Sequence, residues 1–320
     1  MMGLAYGGLF VLFLAGELGL FDASSAAADT DTTPEDDTPG EDTTTGGNLL
    51  DEIPADDLYD AGDFAGEVTG TDGDDSLTGD DDEALAWFLG DGDDSLDASD
   101  LNDHAEGGAG NDDLMMRPGD DTALGGDGDD TIDGGTGDDL VYGEVGNDVL
   151  TGNMNSDSLY GGDGDDTVLG GSGGDLVVGG DGNDVLSGMV QGQASSASAG
   201  FDGPDTLFGG AGDDNLLLGP NDRGTGGTGA DLFRIDDTRD DVTGIATITD
   251  FVAGEDAIEL LYEDRIDPTT NAPFVPEVTV ERTEAGAYRV LVGGQAVALV
   301  NGDGGVLTQA MVRLVPMRAA

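Results

Sequence analysis

The sequence predicts an all-β chain whose middle is a right-handed parallel β-roll, a solenoid of short strands, finished by a β-rich C-terminal cap. Three observations predict it. From Leu89 to Ser187 the residues divide into eleven consecutive blocks of nine with no gap. In every block the sixth place is Asp and the eighth is aliphatic, two positions that chance does not keep in phase over 99 residues. Glycine totals 58 of 320 residues while aromatics make up only 5%. Backbone entropy is therefore high, and the large side chains that would offset it in an ordinary core are scarce.

The elements follow in chain order. Residues 3–21 are apolar except for Glu17, and Ala26, Ala27 and Ala28 come after them. Residues 1–28 are therefore expected to be a signal peptide or anchor, with membrane contact only through residues 1–21 if these are retained. Residues 29–69 begin as a Thr/Asp/Pro linker and carry scattered apolar residues from 49 onward, which suits a short N-terminal cap. Residues 70–234 hold the repeats, interrupted at 188–199 by an insertion without acidic residues that reads as a loop. Residues 235–320 differ in composition, and eight of the nine Arg lie at or beyond 223. Alternating runs at Val278–Glu281, Tyr288–Val292 and Ala296–Val300 predict strands there, the last two joined by a Gly293-Gly294 hairpin turn.

One block reads G-G-x-G-x-D-x-U-x, as in Gly125–Asp133 and Gly161–Leu169. Glycine at the first, second and fourth places permits positive φ and a tight turn. Asn or Asp at the fifth place tolerates the same left-handed region. The last three places are expected to form a short strand, with the eighth side chain inward and the seventh and ninth facing water. Two turns and two strands close one coil of 18 residues, so blocks n and n+2 stack about 4.8 Å apart.

Stacking aligns the sixth-place carboxylates Asp94, Asp103, Asp112, Asp121, Asp130, Asp139, Asp148, Asp157, Asp166, Asp175 and Asp184. Outlying copies at 70–78, 200–208, 209–217 and 226–234 add Asp75, Asp205, Asp214 and Asp231. Seventy acidic residues face nine basic ones, all Arg, for a net charge of −61. Such a chain repels nucleic acid and attracts cations. Carboxylates and turn carbonyls are hard oxygen ligands, which suit Ca²⁺ with its six to eight oxygens. No Cys is present, so disulfides and thiolate sites are excluded.

The nonapeptide pattern over residues 70–234 resembles the RTX, or hemolysin-type, repeat family. The resemblance implies a calcium-stabilised roll, with ions held between coils by the sixth-place Asp and by carbonyls of the glycine-rich turns. In the best blocks these glycines are Gly107, Gly108 and Gly110; Gly125, Gly126 and Gly128; Gly134, Gly135 and Gly137. The same places are held by Gly161, Gly162 and Gly164; Gly179, Gly180 and Gly182; Gly209, Gly210 and Gly212. Past the repeats, GGTGADLFRI and ATITDFVAGEDAIEL within Gly226–Leu260 resemble the terminal repeat and cap of serralysin-type secreted proteins. That likeness implies type I secretion, with an uncleaved signal near the C-terminus.

Alternate blocks face opposite edges of the roll. Asp94, Asp112, Asp130, Asp148, Asp166 and Asp184 form a first row, and Asp103, Asp121, Asp139, Asp157 and Asp175 a second. The fourth place is Gly throughout the first row but Leu101, Gly119, Gly137, Asn155 and Gly173 in the second, so tighter binding is expected on the first. Catalysis is not expected. The single His, His104, occupies an outward seventh place and reads as exposed filler, and no zinc motif or nucleophile–base set exists. Trp87 and Phe88, at a break in register, are expected to cover an exposed end of the roll. The expected function is calcium binding by a secreted or surface-associated protein that folds on export. The alternative is a polysaccharide-binding module, with anionic polysaccharide or the cell surface contacted through divalent bridges.

Overall fold

The computed structural model describes residues 63–79, 83–189, 203–236, 244–263, 274–302 and 305–317. The expected signal or anchor at 1–28, the linker up to residue 62 and the inserted loop from residue 190 lie outside the described residues. All described residues belong to one compact unit, Thr44–Ala320.

The chain alternates between two parallel sheets, placing each strand next to the one two steps before it. The first sheet stacks β1 (Gly66–Thr69), β3 (Leu85–Asp91), β5 (His104–Ala109), β7 (Thr122–Asp127), β9 (Leu140–Val145) and β11 (Ser158–Asp163). It continues through β13 (Leu176–Asp181), β15 (Thr206–Ala211), β17 (Arg223–Thr228) and β19 (Ala246–Ile248). The second sheet stacks β2 (Ser76–Thr78), β4 (Ser95–Asp97), β6 (Asp113–Met115), β8 (Thr131–Thr136), β10 (Val149–Met154) and β12 (Thr167–Ser172). Then come β14 (Val185–Met189), β16 (Asn215–Leu218), β18 (Leu232–Asp236) and β20 (Ala257–Glu263). Leu159 lies between Val141 and Val177, and Leu150 between Ile132 and Val168, which is the 18-residue coil.

Every eighth-place residue from Leu96 to Leu186 is 1% exposed or less. Each strand thus contributes one inward row to a narrow core between the sheets. Trp87 belongs to that core and is not an end cover. It is 2% exposed and stands in register with Ala105, whose small side chain leaves room for the indole.

Most strands in the regular region are six residues long, not three. The first three places of the next block continue the strand, as Gly134, Gly135 and Thr136 do in β8. The outward ninth place also departs from expectation on the first sheet. Leu124, Tyr142, Tyr160 and Val178 are buried rather than facing water, since identical places in adjacent coils cover one another's flanks; Tyr142 and Tyr160 stack at 4.8 Å.

The C-terminal residues extend the same two sheets. On the first sheet β19 pairs with β23 (Gln295–Val300), which forms an antiparallel meander with β22 (Tyr288–Val292) and β21 (Val278–Arg282). Gly293 and Gly294, at φ 58° and 86°, make the turn between β22 and β23. On the second sheet β24 (Val312–Met317) closes against β20.

Candidate metal centre

The turns between sheets carry the chemistry. Each sixth-place Asp sits just before a strand, with its side chain folded back under the turn. The backbone N–H of Asp94 donates to Oδ1 of Asp112, one coil on, and the contact repeats along the first row through Asp130, Asp148, Asp166, Asp184, Asp214, Asp231 and Asp256 at 2.7–3.1 Å. Asp75 joins from below, donating to Asp94. The second row runs Asp103, Asp121, Asp139, Asp157, Asp175, Asp205 and Asp222 at 2.7–3.1 Å. All fifteen sequence-derived Asp therefore lie in the two ladders. All but the half-buried Asp75 are at most 3% exposed.

These bonds use only one oxygen of each carboxylate. Oδ2 of Asp94, Asp112, Asp130, Asp148, Asp166, Asp184 and Asp214 in the first row is buried with no hydrogen-bond partner, as is Oδ2 of Asp121, Asp139 and Asp157 in the second. A buried acceptor left unmade is costly, and a cation is the partner such a row of oxygens lacks. The first-place glycines show where it would fit. A Cβ on Gly125 would meet Asp130 Oδ2 and, at 2.9 Å, the carbonyl oxygen of Gly143 in the next coil. Gly143, Gly161 and Gly179 repeat the cradle with the Gly161, Gly179 and Gly209 carbonyls, and Gly152 repeats it on the second row with Gly170. Each cradle therefore joins oxygens from two coils, a donor set that fits Ca²⁺. Among the described residues no three Asp, Glu or His side chains gather as a closed metal cage. The remainder of any ligand shell must come from backbone carbonyls.

The glycines divide the work by place. The first makes room for the carboxylate. The second and fourth take positive φ, such as Gly126 at 116° and Gly128 at 144°. In the regular blocks of residues 89–187 the fifth place does not take the left-handed region expected of it. Its side chains form an outer ladder instead. Asn111 N–H donates to Asp93 Oδ1, Asp129 to Asn111 and Asn147 to Asp129, at 2.8–3.0 Å.

Burial is the main force on the inner carboxyls. It pushes Asp121, Asp157 and Asp166 up to about 8 and Asp130, Asp214 and Asp231 to about 7. Asp139, Asp148 and Asp184 rise to about 6. Neighbouring carboxylates add to the rise in each, and the N–H donated from the previous coil opposes it.

His104 is not exposed filler. It is 1% exposed, contacts Glu106 Oε1 at 3.1 Å through Nε2, and lies against the rings of Phe64 and Phe88, which shield it from water. Sequence reasoning missed Asp222 and Asp256. Asp222 lies in an eight-residue block, 218–225, which puts it 17 residues after Asp205. Its signal is the Asn-Asp pair at 221–222. Gly254-Glu255-Asp256, followed by the buried Ile258, is the matching signal in the cap.

The fold and ladders define a class, a parallel β-solenoid with oxygen cradles between its coils. Part of the chain matches a repeat family. The RTX calcium-binding nonapeptide repeat matches in four copies, at residues 88–122, 117–150, 151–186 and 200–220, so the chain carries RTX calcium-binding repeats. No curated protein matches the chain. Among solved structures it is similar to the AlgE6R3 subunit of the Azotobacter vinelandii mannuronan C5-epimerase, at 23% identity over 50% of this chain and 79% of that one, with a TM-score of 0.28. It is also similar to the extracellular lipase LipA of Serratia marcescens, at 17% identity over 70% of this chain and 40% of that one, with a TM-score of 0.20.

Proposed function

We propose that this chain is a non-catalytic calcium-binding protein of the cell exterior whose roll folds when Ca²⁺ fills the inter-coil cradles. The observation that carries the reading is the row of buried, unpartnered Asp Oδ2 atoms. Without a cation these carboxyls oppose the fold; with one, each cradle links two coils. The residues proposed to hold the ions are Asp94, Asp112, Asp130, Asp148, Asp166, Asp184, Asp214 and Asp231 of the first row and Asp121, Asp139, Asp157, Asp175 and Asp205 of the second, with carbonyls of the glycine turns. A cation that binds the folded state alone stabilises it by mass action. Where free Ca²⁺ is scarce the chain stays threadable for export; outside, sites of extracellular-module affinity, on the order of 10⁻⁴–10⁻³ M, fill. The serralysin-like cap supports type I secretion. No helix among the described residues is long and apolar enough to cross a membrane. The net charge of −61 favours polyanionic surfaces only through divalent bridges, so pull-down on anionic polysaccharide should require Ca²⁺.

Far-UV circular dichroism of the full chain during Ca²⁺ titration tests the reading, with Mg²⁺ as control. A coil-to-β transition with Ca²⁺ and none with Mg²⁺ is expected. A full β spectrum in EDTA, unchanged by Ca²⁺, would sink it.

A further inference from the structure

The ladders do not end as they run. At the N-terminal end of the first row, Asp75 Oδ2 accepts from Thr71 N–H at 2.6 Å and Thr71 Oγ1 at 3.0 Å. At the N-terminal end of the second row, Asp103 Oδ2 accepts from Ser99 N–H at 2.8 Å and Ser99 Oγ at 2.7 Å. The C-terminal ends match. Asp222 Oδ2 accepts from Gly219 N–H at 2.5 Å, and Asp256 Oδ2 from Val252 N–H at 2.6 Å. Oδ1 of Asp103 takes the N–H of Leu85 at 2.6 Å, so both its oxygens are engaged. Four terminal rungs thus have the partner that Asp112 or Asp130 lacks.

We infer that Asp75, Asp103, Asp222 and Asp256 are sealed rungs that take no ion and end the calcium ladder on both edges, and that Thr71 and Ser99 are the residues that exclude metal at the N-terminal end. The inference rests on the calcium reading above and narrows it. An N–H or O–H aimed at a carboxylate oxygen puts a positive dipole end where a cation would approach, and it removes the unmet acceptor that draws the cation in. The first-place residue does not decide the matter, since Gly70 stands before Asp75 with the Leu89 carbonyl against it, while Ala98 stands before Asp103; the engaged Oδ2 is what the sealed rungs share. The first coils instead carry their own cation. The Arg117 guanidinium donates to both carboxylate oxygens of Asp97 and lies 3.8 Å from Asp100. A solenoid needs ends that do not invite another coil. Rungs satisfied by hydroxyls and amides supply such ends without depending on the ion that folds the middle.

Bound Ca²⁺ per chain, measured by equilibrium dialysis and by native mass spectrometry on the full protein, tests this. Asp75→Asn and Asp103→Asn should leave the count unchanged, whereas Asp130→Asn should lower it by at least one. Asp75→Asn, at a half-buried outermost rung, is the milder variant and carries the same expectation as Asp103→Asn. A count that falls in either terminal variant as it does in Asp130→Asn overturns the inference and leaves the calcium reading standing. A count unmoved in all three, Asp130→Asn included, overturns both.

Discussion

The two edges of the roll share one inner ladder but stand on different scaffolds. On the first-row edge, the fourth-place N–H of Gly92, Gly110, Gly128, Gly146, Gly164, Gly182 and Gly212 donates to the third-place carbonyl of the next coil, without a gap. The outer ladder there is equally continuous from Asp74 to Asp213. On the second-row edge the fourth-place bond is made at Gly119 and, more weakly, at Gly137, and the outer ladder runs only from Asn102 to Ser156 before Gly174 removes its side chain. Arg117, Asn153 and Asn155, all on that edge, sit at φ 70–82°, where a side chain is strained, against Glu144 alone, at 76°, among the described residues of the first-row edge. The demand for a cation is nevertheless similar, since Asp121 and Asp157 on one edge and Asp166 on the other are all pushed up to about 8. Carboxylate burial sets how much a cation is needed. The regularity of the turn sets how well oxygens are held for it, and only there do the edges part.

The largest expected effect breaks the regular edge. Gly128→Ala places a Cβ against the Gly110 carbonyl at a φ of 144°. It should destabilise the calcium-loaded protein by about 3 kcal/mol or more, seen in thermal melts at saturating Ca²⁺. Next come the carboxylates. Asp148→Asn on the first row should raise the Ca²⁺ midpoint of folding roughly tenfold, and Asp139→Asn on the second only about threefold, by the charge count at each site. Equal shifts would show that turn regularity does not govern affinity.

A pH scan of calcium-depleted protein should treat both edges alike. The inner carboxyls rise from an ordinary 3.8 to about 6–8 in the fold, so the folded state binds protons more tightly than the unfolded one. Their stabilising effect is full below about 4 and is lost as pH climbs through 6 to 8. Circular dichroism without Ca²⁺ should therefore show more β structure near pH 4.5 than at pH 8, and Ca²⁺ should bind more weakly at the lower pH. The smallest effect is relief of strain. Asn155→Gly should raise stability by about 0.5 kcal/mol, measured as a small rise in melting temperature.

Much of this was legible in the sequence. A nine-residue period with invariant Asp and a buried eighth place specifies the coil length, both ladders and the core row, because each follows from stacking like on like. The Gly293-Gly294 hairpin was legible as local turn chemistry. What could not be read depends on neighbours two coils away. Asn111 and Asp129 look like turn formers until the next coil supplies an N–H. His104 looks exposed until Phe64 and Phe88 close over it. Asp222 was hidden by one residue missing from the turn before it, in a block whose core place is held by Gly224 with the side chain of Leu218 packed over it.

The rungs across the insertion have a wider consequence. Asp175 to Asp205 and Asp184 to Asp214 are each separated by 30 residues, yet both bonds hold at 2.9 Å, the length found at Asp139 to Asp157. A coil recognises only the coils above and below it, and what hangs from a turn leaves no trace in the stack. The roll is in this sense a rod of adjustable length. Duplicating or deleting one 18-residue unit changes its height by about 4.8 Å and leaves every other floor as it was. Selection can therefore tune the height of the stack independently of the chemistry of its turns.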